Sequence, residues 1–263
     1  MIGLFLGSTD FPDLILKKIR KNKKKFFIID LTKNNKFKCH NNSHFISIGK
    51  FGQILKLIKE KKCRKVLFAG KIDKPRILNL KFDVKGIYYL PRIIKALKLG
   101  DAAILKELIK ILAENKIKVI KSNFYNPELT LSKGNFSKTK PNKLDKVNIK
   151  KGIKALNNLN AHNHVQGLIM KNNVVIKKET LKGTKKMLQS INSIKDSGGI
   201  LIKFPKRKQD LRADLPTVGL DTLKDCKKGN VKGIVLKSKQ NIFIDKNKCI
   251  SFASKHNIFI NIV

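Results

Sequence analysis

The sequence predicts an α/β protein of two domains: an N-terminal Rossmann-like, mostly parallel sheet with flanking helices, and a C-terminal mixed α+β domain. Three observations carry this. Short apolar runs alternate with helical spacing as far as KVIKSNFY (118–125). The polar stretch NPELTLSKGNFSKTKPNK (126–143), with two prolines and a glycine, then breaks the pattern. Beyond it, strand signals crowd together with fewer helices between them. The expected domains are 1–127 and 128–263, the second carrying the block RADLPTVG.

The elements follow in order. IGLFLG (2–7) is a short apolar run ending in glycine, as a buried strand does. FPDLILKKIRKNK places Leu14, Ile15 and Ile19 on one helical face. KFFIIDL (25–31) and HFISIG (44–49) are strands; FGQILKLIKEKKC (51–63) is a helix with Ile54, Leu55 and Ile58 on one face. KVLFAGKI (65–72) is a strand ending at Gly70. Residues 89–116 supply one or two helices, interrupted at Gly100-Asp101. Strands that alternate with helices in this way form a parallel sheet covered on both faces.

The second half begins with a helix near 145–159 and a hairpin, GLIMKNNVVIKKE, turning at Asn172-Asn173. GTKKMLQSINSI (183–194) is helical, and GILIKFP, GIVLKS, NIFID and NIFINIV are strands. The segment 126–143 itself reads as a linker or exposed loop.

Composition narrows the function. Lys+Arg number 59 against 18 Asp+Glu, a net charge of +41. Only six of the basic residues are arginines; the lysines are spread along the whole length without interleaved aromatics. That is a solvated basic surface, not a stacking groove, so no specific nucleic-acid partner is expected. Such a surface favours an anionic membrane face or a phosphorylated substrate. Cys39, Cys63, Cys226 and Cys249 form no C-x-x-C pair, so free thiols in a reducing cytoplasm are expected. No uninterrupted apolar run reaches the ~18 residues of a membrane span. The N-terminal run is broken by Gly, Ser and Asp and has no basic leader, so no secretory signal is expected either.

Against this scarcity of acids, RKQDLRADLPTVG (207–219) stands out, with Asp210 and Asp214 interleaved with Arg207 and Arg212. It follows a strand, and loops held by a scaffold carry function. In an extended segment Arg212 and Asp214 share a face. A carboxylate there could hold Mg²⁺ through hard oxygen ligands, and a guanidinium could clamp phosphate as lysine cannot. The competing reading is an Arg–Asp ion pair that fixes a loop, and from spacing both stay open. Gly7-Ser8 and Gly70-Lys71 end strands where an open α/β sheet binds ligands. A plain tight turn would read the same. There is no G-x-G-x-x-G. Gly100-Asp101 could be a cap pair, and Thr184 a helix N-cap or an anion contact; both join the substrate-binding candidates.

FGQILKLIKEKKCRKVLFAGKIDKPR, LPRIIKALKLGDAAILKELI, GTKKML and KFPKRKQDLRADLPTVG together resemble the LpxI family of UDP-2,3-diacylglucosamine pyrophosphatases, in order and spacing over nearly the whole chain. The resemblance implies hydrolysis of UDP-2,3-diacylglucosamine to UMP and 2,3-diacylglucosamine 1-phosphate (lipid X), a cytoplasmic step of lipid A synthesis in Gram-negative bacteria. It implies Mg²⁺ or another divalent cation, and two domains with the lipid-linked UDP-sugar held between them. The family's key aspartate falls on Asp214; Gln209, Arg212 and Thr217 fall on matching positions, and Glu179 on an acidic one. Catalysis is thus expected of Asp214, Arg212 and Gln209. Substrate binding is expected of Gly7, Ser8, Gly70, Lys71, Asp101, Thr184 and Thr217, and metal binding of Asp214 and Glu179. Transient contact with the inner membrane surface, and a homodimer as an admissible assembly, complete the expectation. The chain departs from the family at Ser8, where a glycine is usual, at Lys185, where an aspartate is common, and at Lys71, where asparagine or arginine is frequent. The alternatives are an inactive nucleotide-sugar or lipid-binding module and, further off, a basic nucleic-acid binder.

Overall fold

The computed structural model describes residues 1–72, 79–163, 165–180, 182–191, 199–207 and 209–263, with the side chains of 160–163 set aside. The end of the expected helix 183–194 and the Asp73–Arg76 part of the KIDKPR block lie outside the described residues. The fold is α/β and divides into two compact units. One is Met1–Pro127 with Lys208–Asp214; the other is Glu128–Arg207 with Leu215–Val263.

The first unit holds a five-stranded parallel sheet: β1 (Ile2–Leu6), β2 (Phe26–Asp30), β3 (Ser43–Phe45), β4 (Lys65–Ala69) and β5 (Lys118–Val119), in the order β3-β2-β1-β4-β5. Every residue of β1 is buried, as a central parallel strand covered on both faces requires. Phe5, Phe27, Ile29 and Phe68 enter one core with α2 (Phe51–Glu60), α3 (Val84–Lys98) and α4 (Asp101–Glu114). The alternate residues Leu4, Leu6 and Ile28 are also buried and so face the other way. Helix α1 (Phe11–Lys21), with Ile15, Leu16 and Ile19 buried, packs against β4.

Helix α3 starts earlier than its spacing suggested because Asp83 caps it. Its carboxylate accepts from Gly86 N at 2.7 Å and also from Gly52 N at 3.0 Å and Gln53 N at 2.9 Å, tying the starts of α2 and α3 together. Burial alone would raise this carboxyl's pKa; the three N–H donors outweigh it and hold it below the usual range. Arg92 braces α3 to α4, its Nε donating to Glu107 at 2.7 Å and its two terminal nitrogens to Glu114 at 2.8 and 2.7 Å.

The second unit holds β6 (Gly134–Asn135), β7 (Gly167–Lys171), β8 (Val174–Lys178), β9 (Gly199–Lys203), β11 (Val231–Leu236) and β13 (Phe259–Ile262) in the order β6-β13-β11-β9-β7-β8. The sheet is mixed. β11 runs parallel to β9 and β13, while β7 runs antiparallel to β9 and β8. A separate parallel pair joins β10 (Thr217–Val218) to β12 (Ile242–Phe243). α5 (Lys143–Asn163) lies on β7 and β9; α6 (Gly183–Gln189), α7 (Leu220–Lys228) and α8 (Lys246–Lys255) complete the unit.

The stretch 126–143 is not a free linker. Leu131 is 2 % exposed within the second core, and its N–H donates to Asn241 Oδ1 at 3.0 Å. Ser137 Oγ accepts from Ile260 N at 2.9 Å. Nor does the whole RADLPTVG block belong to the second unit: Arg212-Ala213-Asp214 stays with the first, and Leu215 onward with the second. The reason is local, because Ala213 packs on the first core and Ser122 N donates to Arg212 O at 2.7 Å.

Candidate active site

In the first unit β1 and β4 are neighbours, and the chain runs from β1 to β2 on one side and from β4 to β5 on the other, so the connections diverge at their carboxyl ends. Open α/β sheets bind ligands at such a divergence. The two strand ends lock together there. Gly7 N donates to Ala69 O at 2.9 Å, and Ser8 N and Oγ reach Lys71 O at 2.8 and 3.2 Å. A side chain at Gly7 would collide with the Lys71 carbonyl. Gly70 has φ +87°, and a Cβ there would meet Pro12 Cγ at 2.7 Å. Both glycines are therefore required by geometry.

Beside these ends lies a cavity of about 300 Å³. Gly70, Lys71, Asp101 and Asp214 all line it, so four of the expected site residues meet at one place. Its remaining wall is mostly apolar, built from Phe51, Phe68, Tyr89, Ile93, Ile104 and Leu108 of β4 and helices α2 to α4. Asp101 is the first residue of α4, which follows Gly100 at φ +97°. The apolar wall was missed from the sequence because its i, i+3, i+4 spacing is that of any core-facing helix.

The 210–214 segment is a helical turn, not the extended run the spacing argument assumed. Asp210 O accepts from Ala213 N at 3.1 Å and Asp214 N at 3.0 Å. Arg212 therefore folds back onto Asp210, which also accepts its backbone N–H at 3.0 Å. The Arg212 side-chain bonds hold the Asp210 carboxyl below its ordinary range, against the opposing effect of burial, and raise the guanidinium's own value. Gln209 is buried at 8 % exposure, whereas Asp214 is exposed at the cavity.

Glu179, Thr184 and Thr217 belong to the second unit. Glu179 N donates to Gly167 O at 2.8 Å. Its Oε1 accepts from Thr184 Oγ1 at 3.2 Å, while its Oε2 is buried without a protein hydrogen bond. Such an oxygen is costly to leave unsatisfied and suits a cation. Thr217 Oγ1 turns inward to Leu215 O at 3.1 Å. Its carbonyl accepts from Lys203 Nζ at 3.3 Å. Lys203, 9 % exposed at the end of β9, is a buried cation that sequence reasoning missed; in GILIKFP nothing marks it among so many lysines. Among the described residues no three His, Cys, Asp or Glu side chains gather as a ready-made metal cage.

The LpxI N-terminal domain model matches residues 1–129, and the LpxI C-terminal domain model matches 132–261. The chain belongs to the LpxI family. It is similar to the UDP-2,3-diacylglucosamine pyrophosphatase LpxI of Caulobacter vibrioides (strain ATCC 19089 / CIP 103742 / CB 15), with 26 % identity over 223 residues, 82 % of this chain and 80 % of the relative. In this LpxI protein the departures sit at defined places. Ser8 spends its hydroxyl on Lys71 O, and Lys185 stands exposed one residue after Thr184 on α6.

Proposed function

We propose that this LpxI protein hydrolyses the pyrophosphate of UDP-2,3-diacylglucosamine to UMP and 2,3-diacylglucosamine 1-phosphate in lipid A synthesis. The observation that carries the reading is the meeting of Lys71, Asp101 and Asp214 beside an apolar cavity. A diphosphate ester with acyl chains needs both surroundings: charge at the reacting phosphorus and dry surface for the chains. Family membership and the named relative support the same substrate.

Asp214, exposed on its turn, can hold a divalent ion or orient the attacking water. Glu179, with its unsatisfied buried oxygen, is the second carboxylate suited to a cation. Mg²⁺ suits either carboxylate, since it binds through one or two carboxylates plus substrate phosphate oxygens. The ion would neutralise charge on the pyrophosphate. Lys71 adds a cation at the mouth, and Arg212, fixed by Asp210, holds the turn that presents Asp214. In the cell the protein is read as cytoplasmic, visiting the inner membrane surface where its substrate resides. Among the described residues no helix is long and apolar enough to cross a membrane.

The test is UMP release from UDP-2,3-diacylglucosamine by the purified protein, with Mg²⁺ and with excess EDTA. Metal-dependent UMP and lipid X support the reading. Substrate binding without UMP would make the chain a binding module instead.

A further inference from the structure

We propose that the outer face of α3 is a docking surface for an anionic lipid bilayer, which the helix meets lying in the interfacial plane. The face is apolar where solvent should favour polar groups. Val84 is 83 % exposed, Tyr88 68 %, Leu99 66 % and Ile87 61 %, with Ile94 beside them. At 100° per residue these fall on one arc, interleaved with Lys85, Lys95 and Lys98. No Asp or Glu lies between Val84 and Lys98. Exposed aliphatics, an interfacial tyrosine and lysines without acids are what a helix shows when it seats in a negatively charged headgroup layer. A protein partner would call for acidic residues opposite the lysines, but it would give no reason for tyrosine and lysine to ring the same apolar strip.

The opposite side of the same helix points to the same occupant. Tyr89, Leu90, Ile93 and Leu97 line the apolar cavity, so α3 is a single-helix wall with lipid-compatible residues on both sides. Asp83 and Arg92 fix that wall to α2 and α4, so the outer strip is a rigid platform. The use of the platform, bringing an acylated substrate to the cavity, rests on the proposed function; its affinity for lipid does not.

The experiment sediments the full chain with vesicles of phosphatidylcholine alone and of phosphatidylcholine mixed with phosphatidylglycerol. The Ile87→Glu/Tyr88→Glu double variant is compared with Lys17→Glu, which changes the net charge equally from an exposed site on α1. Binding of the parent to the mixed vesicles, weakened roughly tenfold or more in the double variant and much less by Lys17→Glu, is the expected result. Equal weakening in both variants, or none, overturns the proposal. The chain contains no Trp, so Tyr88→Trp introduces a unique fluorophore. Its emission should shift to the blue when mixed vesicles are added, and the absence of a shift overturns docking through this face. A blue shift that follows protein concentration without lipid, with a dimer in sedimentation velocity, assigns the face to a second copy and also overturns it. Vesicle binding by a parent protein that releases no UMP supports the docking face and overturns only the enzymatic reading.

Discussion

Arg212 closes its guanidinium on Asp210, with Nε at 2.9 Å from one carboxylate oxygen and a terminal nitrogen at 2.6 Å from the other. The pair lies within the turn closed by Asp214 N on Asp210 O and sets where Asp214 emerges. Arg212→Lys keeps the charge but loses the planar fork, so kcat/KM should fall about tenfold or more. Stability should change by at most ~1 kcal/mol, because half the Arg212 side chain is in water. Kinetics beside thermal melting separate the two effects, and unchanged kinetics would leave Arg212 a purely structural partner.

The same pair gives a pH dependence. The Asp210 carboxyl titrates below the usual value of a free aspartate in the folded chain, held down by the Arg212 side chain. Its stabilising contribution is therefore fully present above that value and is lost as the pH falls through the lower, folded-state pKa. Asp210→Asn should flatten the acid limb of a melting-temperature profile while leaving the neutral region nearly level.

Asp214→Ala should lower UMP release at least ~100-fold with an unchanged circular dichroism spectrum, since the side chain is exposed and supports no core. Substrate binding should survive. A variant that turns over like the parent would remove Asp214 from the chemistry.

Glu179→Gln leaves the Thr184 contact possible but removes the charge next to an unsatisfied buried oxygen. If that oxygen faces a divalent ion, the Mg²⁺ concentration for half-maximal activity should rise several-fold while KM for substrate at saturating Mg²⁺ stays close to the parent's. An unchanged Mg²⁺ titration would take Glu179 out of the metal site.

Gly70→Ala places a Cβ on a positive φ and against Pro12, at a cost of ~1–3 kcal/mol in chemical denaturation. Ser8→Gly, by contrast, removes an exposed hydroxyl contact to Lys71 O. Its stability should stay within ~1 kcal/mol of the parent's.

The strongly periodic parts of the fold were legible in the sequence. Apart from Asp30 and Lys65 at their ends, the β1, β2 and β4 runs are apolar because parallel strands are covered on both faces, and α1 and α2 show their buried stripes. Helix α8 was not legible. KNKCISFASK buries only Cys249 and Ala253, too little to make a stripe. The early start of α3 rests on Asp83, whose bonds to Gly52 and Gln53 depend on packing far along the chain. At the site, Gly7 and Gly70 were legible as strand ends and Asp214 as part of an acid-bearing loop in a basic chain. The direction of Arg212 was not, because an i, i+2 argument holds for extended backbone and fails on a turn. Lys203 was hidden by number: burial, and not residue type, distinguishes it from the other lysines.

The assignment of Lys208–Asp214 to the first unit has a consequence for how the protein is made. A ribosome that has finished Pro127 has translated all five strands of the parallel sheet but not the turn bearing Asp214. The nascent N-terminal half must wait, its cavity lacking that turn, until much of the second unit has also left the exit tunnel. Cutting the gene between the two matched domain models would yield an N-terminal fragment that can form its sheet and never its reactive turn.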